Sequence, residues 1–422
     1  MATAAPDDRA ASAAVPAGPA HVAVVSFLAA RAAPTGGFWI ALAGGVALAR
    51  TAERRGARLG FGASAAAMLE TVAIIGPARF GIPLTQAATA PMLGRLEARG
   101  VALVPQILAC AAVRLLHNTA TTAFFIWVIT GGLDAYAGTY DAIGRRIGIE
   151  VGTADALAVT AAGLLAWAAF ASTVQVLVYR HGLRRWDAAA AAGVDARNVD
   201  RAISGKSSSR ASDGGRERRF DPRAVTLAAG VAFALLLSST SWPLLAAVAV
   251  WLAVAWGAAR PDREPLPTGL VFAAILAGGA LIFSLGGGLG LDVALRRASR
   301  AALLVLVATW LRGAAGAAGL REVSRRALGK LRRVPAAPEA AKVLEQISSE
   351  GRLAAAGRTL GGQLNGVKKR PIPFVDAVLS WVVKESRAFN PTPSPAHATL
   401  RARSHDVVLT AAAAAPALAL LA

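Results

Sequence analysis

Residues 224–237 (AVTLAAGVAFALLL) and 243–259 (PLLAAVAVWLAVAWGAA) carry no charged side chain. Each approaches the roughly 20 apolar residues that a helix needs to cross a hydrocarbon layer of about 30 Å. Ser238–Trp242, between them, reads as a tight turn at the far interface. Leu270–Leu285 is a third apolar run, and Ala301–Trp310, extended into its flanks, is a fourth. Val407–Ala422 is a final, marginal span. Composition agrees: 55% of the 422 residues are hydrophobic, 17% are charged, and the mean hydropathy is +0.49. A water-soluble domain carries about 25% charge. A disordered chain is excluded by the apolarity, and a disulfide scaffold by the single cysteine, Cys110. The fold class expected is all-α: a polytopic integral membrane protein with two helical membrane modules and cytoplasmic amphipathic helices.

The first half is apolar but irregular. Residues 1–20 read as a disordered tail, because Asp7 and Asp8 precede any basic residue and no secretory signal begins that way. Residues 21–180 form a membrane module of unknown role. In it, His21–Ala30 and Gly36–Ala49 are each too short to span alone and suit a hairpin or a broken helix. Gly60–Gly76 is nearly long enough, and Ile82–Leu93, with Pro83 and Pro91, suits a re-entrant segment. Val101–Thr130 is long enough for one tilted helix, and Ala154–Tyr179 is the clearest span of this half. Residues 181–222 are a basic linker, with a Ser/Gly cluster from Ser204 to Gly215.

Charge orients the second half. The linker is basic, so it lies in the cytoplasm. Residues 223–319 then cross four times and return the chain to that side. Between Ala294 and Arg370 there are sixteen Lys/Arg against four Asp/Glu, a net of +12. Most of this block falls in residues 320–404, inside the cell as the charge rule requires, before a last span over 405–422. Arg296, Arg297 and Arg300 break the rule, since they start the fourth span from the far side. In the block, Leu320–Val334 has apolar residues at steps of three and four with arginines on other faces, which reads as an amphipathic helix at the membrane surface, ended by Pro335 and Pro338. Glu339–Leu360 and Phe374–Ala388 are two further helices. Such faces either bind anionic lipid or dock a cytoplasmic partner, where an arginine forms a bidentate pair with a carboxylate.

From about Phe220 onward the chain resembles the transmembrane scaffold component of energy-coupling factor transporters, ABC importers of vitamins and metal ions. Asp221-Pro222-Arg223 is similar to that family's lead-in to its first span, and four spans follow. Leu291–Arg300 resembles its Arg-bearing start of a later span, and Leu328–Pro335 its Lys/Leu-rich approach to a proline. Glu345-Gln346 with Glu350-Gly351-Arg352 resembles the first coupling motif, for which Gly357-Arg358-Thr359 is a rival. Glu385-Ser386-Arg387-Ala388-Phe389 resembles the second, and Pro371 and Pro373 lie between them. Arg401–Ser404 precedes the last span. Neither motif has the family's Ala-Arg-Gly form. The resemblance implies a non-catalytic subunit of a bacterial plasma membrane. Two cytoplasmic ABC ATPases would each receive one coupling helix through Arg352 (or Arg358) and Arg387, with Glu350 and Phe389 beside them. Their motion would tip a substrate-binding membrane component, either separate or fused as residues 21–180.

Other chemistry is weakly represented. Ser204-Gly205-Lys206-Ser207 lacks the first glycine of a phosphate loop, because position 200 is Asp200. Five scattered histidines and one cysteine make no zinc pattern. No cofactor, metal or nucleic acid is expected. Glu70 lies in the otherwise apolar Ala65–Gly76, with Arg79, Arg114 and His117 as its candidate partners. An ionisable group at that depth is a functional candidate, and an intramembrane enzyme using Glu70 and His117 is the rival to a scaffold. A non-transport membrane protein whose basic helices bind lipid is another.

Overall fold

A computed structural model describes residues 15–33, 36–77, 83–191, 219–347, 350–367, 370–390, 400 and 403–420. Among these residues there are fifteen α-helices and no strand. The first seven are α1 (Ala17–Ala32), α2 (Gly37–Arg55), α3 (Ala57–Ile75), α4 (Pro83–Ala98), α5 (Leu103–Phe124, continued by a π-helical turn over Phe125–Thr130), α6 (Leu133–Arg146) and α7 (Thr153–Ala191). After the linker come α8 (Pro222–Ser238), α9 (Trp242–Ala259), α10 (Pro265–Gly286) and α11 (Leu291–Lys330). The last four are α12 (Ala337–Gln346), α13 (Glu350–Leu364), α14 (Pro371–Ala388) and α15 (Ser404–Ala414), with a 3₁₀ turn over Ala415–Leu420.

Six of these helices (α3, α5, α7, α9, α10 and α11) are long and apolar enough to cross a membrane. Their outward faces are apolar as well: Leu116 on α5, Phe170 on α7, Val254 on α9 and Ile282 on α10 are all exposed. A soluble monomer rarely leaves that much apolar surface uncovered. The all-α architecture fits a polytopic membrane protein.

Two cores hold the chain together. One joins α8, α9, α11 and α15 through Val225, Leu244, Val248, Trp310 and Leu409, with Trp251 edge-on to Trp310 at 5.4 Å. The other joins α1–α4 and part of α7 to α12–α14, through Val24, Phe27, Leu48, Leu344, Leu360 and Val378. The basic C-terminal helices therefore pack into the N-terminal helices. Small residues let these backbones approach. A Cβ on Gly94 of α4 would meet the Ala49 carbonyl carbon of α2 at 2.6 Å.

Several boundaries differ from the sequence reading. α1 begins at Ala17, inside the expected tail, and its Ala17, Gly18 and Ala20 are buried. Its high Ala content resembles low-complexity sequence but also suits tight helix packing. α1 and α2 form the hairpin expected for His21–Ala49. The expected break near residue 320 falls inside one helix, α11, which runs for 40 residues and bends at Gly316 (φ 63°, ψ 165°). The segment expected at the membrane surface is thus the end of α11, with Leu320 and Glu322 buried. Lys330, not Pro335, is its last residue, and Pro338 lies in the first turn of α12, where its missing N–H costs nothing. α6 was not foreseen. It is tied to α10 by Thr139 Oγ1 donating to the Phe283 carbonyl at 2.9 Å.

Candidate functional site

The arginine-bearing helices owe their placement to simple amphipathic spacing. Ala340, Val343 and Leu344 on α12, Leu353, Ala356 and Leu360 on α13, and Val375, Val378, Leu379 and Val382 on α14 recur at three- and four-residue steps, and all are buried. The opposite faces carry Arg352, Arg358, Lys384 and Arg387, all exposed. α13 and α14 are linked by Trp381 Nε1 donating to Thr359 Oγ1 at 3.0 Å and Gln363 donating to the Ala377 carbonyl at 3.1 Å.

Both candidate motifs come together at one corner. Arg352, near the start of α13, donates from Nη1 to the carbonyl of Asn390, just past the end of α14, at 3.2 Å. Arg387 and Phe389 lie at that same end. Glu350 is the first residue of α13, and Arg358 lies six residues beyond Arg352 on the exposed side. The end of α14 is clamped on α1. A Cβ on Gly18 would meet the Ser386 carbonyl oxygen at 2.5 Å. His21 stacks on Phe389 with ring centroids 4.8 Å apart, and its Nε2 lies 3.5 Å from Glu385 Oε1.

A line of polar contacts runs from this layer to α11. Arg58 of α3 pairs with Glu339 of α12 at 2.6 Å. Glu70, with no exposed surface, accepts from Arg321 Nε at 2.6 Å and from its Nη2. Arg312 Nε donates to the Ile74 carbonyl at 2.7 Å. The Gly316 bend lies between these two attachments, so α3 braces α11 on both sides of it. Near the end of α11, buried Glu322 accepts from Arg325 and Arg326.

The partner of Glu70 is therefore Arg321, which the sequence reading did not set beside it. Arg114 turns instead to Gln175, donating from Nη2 to Oε1 at 2.6 Å, and Gln175 donates in turn to Thr89 at 2.7 Å. Cys110 completes this buried cluster between α4, α5 and α7, with Sγ 3.5 Å from Gln175. His117 is half-buried one turn past Arg114. Arg79, the Ser/Gly cluster and Arg401 fall outside the described residues.

Asp221-Pro222-Arg223 builds a helix start. Asp221 caps α8 by accepting from the Arg223 backbone N–H at 2.8 Å, and Pro222 opens the first turn. The Arg223 side chain folds back onto both carboxylate oxygens. Burial raises the Asp221 carboxyl, but the hydrogen bonds and charge of Arg223 outweigh it and hold it below its ordinary value. Asp406 of α15 accepts from the Asp221 backbone N–H at 2.8 Å, which joins the last helix to this start.

Among the described residues, no group of three His, Cys, Asp or Glu is placed to hold a metal ion. The chain matches no family model, no curated protein and no solved structure.

Proposed function

We propose that this chain is a non-catalytic membrane scaffold of an energy-coupling factor type importer. Its α13–α14 corner is the point gripped by a cytoplasmic ATPase. The observation that carries this reading is the joining of Arg352 and the Arg387 motif at one exposed corner. The opposite faces of α13 and α14 pack against α1, α2 and α7, and α1 and α2 pack in turn on α3, which is bonded to the membrane-length helix α11 through Glu70–Arg321 and Arg312–Ile74. A force on that corner reaches α11 through packed helices and ion pairs rather than through a loose tether. For motion to be transmitted, the ATPase must hold the arginines differently in its two states.

The reading narrows what the resemblance implies. Two motifs at one corner favour one grip there, so the stoichiometry of the complex is an open variable of the test. α1–α3 fill the core beneath α12–α14 and so act as part of the coupling layer, which favours a separate substrate-binding component. The intramembrane-enzyme reading is opposed by the two-point hold of Arg321 on Glu70, which occupies the carboxylate that would act as base. Headgroup binding by a basic segment is favoured at Leu331–Val334, where exposed Leu331 and Val334 flank Arg332 and Arg333.

The experiment is purification of the full chain from native membranes in mild detergent. Wild type retains nucleotide-binding subunits, and Arg352→Glu with Arg387→Glu loses them. Retention by the double reversal, or absence of such subunits from wild type, rejects the grip.

A further inference from the structure

At the opposite end of the helix bundle lies a cavity of about 370 Å³. Its walls come from the first three turns of α11, the α8–α9 turn, and the end of the π-helical turn after α5. Arg296, Arg297 and Arg300 line it, together with Ser239 and Thr240, and no carboxylate does so among the described residues. These are the three arginines that break the positive-inside pattern.

Their partners are too few. Arg296 pairs with Asp292, which also accepts from Trp242 Nε1 at 2.7 Å, so one of the three charges is met. Arg300 is 5% exposed, and its Nε and Nη2 are buried with no hydrogen-bond partner. Arg297 Nη1 and Arg296 Nε are in the same condition. A guanidinium cannot shed its proton to escape this. A buried, unpaired charge is among the costliest groups a fold can hold. Positions 296 and 300, and 297 and 300, are also helix neighbours, so the like charges repel.

The site is shaped for one of these groups. Gly131 has φ +81°, and a Cβ built there would meet the Arg297 guanidinium carbon at 2.5 Å. Glycine thus supplies both the left-handed turn and the floor on which the guanidinium rests.

We propose that this cavity binds a phosphoryl group. Four unmet N–H donor positions on three guanidiniums call for a tetrahedral oxyanion with three or more acceptor oxygens. Arginine forks match phosphate oxygens in pairs. Ser239 and Thr240 add hydroxyls to the wall. The volume admits a headgroup or a small phosphorylated solute. The phosphate comes either from a bilayer lipid or from a free solute. The inference does not depend on the ATPase reading, since it rests on groups at the other end of the bundle.

The test uses the purified full chain, delipidated in detergent. Inorganic phosphate is titrated at constant ionic strength while the unfolding temperature is followed, and native mass spectrometry is run with added phosphatidylglycerol. The variants are Arg300→Gln and Gly131→Ala, the second displacing the Arg297 guanidinium and straining the left-handed turn on which it rests. A wild-type response to inorganic phosphate that weakens about tenfold or more in both variants assigns a solute phosphate. Phosphatidylglycerol adducts on wild type that both variants lose, without a phosphate response, assign the lipid headgroup. Wild type binding neither, or both variants binding as wild type does, overturns the proposal. If Arg300→Gln fails to fold, the Gly131→Ala comparison decides alone.

Discussion

Replacing Glu70 by glutamine tests the brace between α3 and α11. Glu70 has no exposed surface, and the Arg321 side chain is 14% exposed. Water therefore screens the pair little. Two hydrogen bonds join them, each charge-assisted and worth about 1.5–3 kcal/mol. Glu70→Gln removes the charge and leaves the Arg321 guanidinium without its carboxylate. Loss of one partner of such a pair costs about 3–5 kcal/mol. The companion Arg321→Met should cost a similar amount by removing both of these hydrogen bonds from the buried carboxylate. The double variant removes both charges and should recover much of the loss, giving a coupling of about 2 kcal/mol or more. Reversible unfolding in mixed micelles, followed by circular dichroism for all four proteins of the cycle, measures this. A coupling below about 0.5 kcal/mol is the value expected of independent sites. It would mean that α3 and α11 are held by packing alone, and the polar route to α11 would lose its main link.

Two other outcomes follow from local geometry. Gly94→Ala places a methyl against the Ala49 carbonyl, so α2 and α4 must separate; a loss of about 1–3 kcal/mol is expected in the same unfolding assay, and a neutral result would show that the two helices are not in close contact. Asp221→Asn removes a carboxylate held below its ordinary value of 3.8. A depressed carboxyl contributes stability above its unfolded value and loses it as pH falls through the folded one. The difference in unfolding temperature between wild type and this variant should be constant from about pH 5 to 8 and shrink below about pH 4; a difference that grows on acidification would contradict the hold of Arg223 on the Asp221 carboxylate.

The apolar helices of the second half were legible where long stretches carry no charge, although α8 is shorter than the six membrane-length helices. The stretches 224–237 and 243–259 map onto α8 and α9 almost residue for residue. The face of α14 was legible because its apolar residues recur at helical steps, whereas Glu339–Leu360, read as one helix, is two, α12 and α13. Three features were not legible, each for a physical reason. The Glu70–Arg321 pair joins residues far apart in sequence, and local pattern says nothing of that. The end of α11 looked like a surface helix because Leu320–Val334 alternates apolar residues with Arg321, Arg325 and Arg326, yet those charges are met by Glu70 and Glu322, so the helix continues while partly buried. The first turn of α1, residues 17–20, was read into the tail because its Ala-rich sequence continues that of the residues before it; packing of α1 against α13 and α14 reveals its place in the helix. Arg296, Arg297 and Arg300 stood out in the sequence as a violation of charge topology, and the structure gives them a shared cavity.

The most direct measurement is site-specific crosslinking from residue 387 in native membranes, with the captured protein identified and its ratio to the chain weighed by mass spectrometry. The scaffold account expects a nucleotide-binding subunit, crosslinked from 387 and lost when Arg352 becomes glutamate. Crosslinks only to lipid, or to a protein without nucleotide-binding motifs, would contradict it.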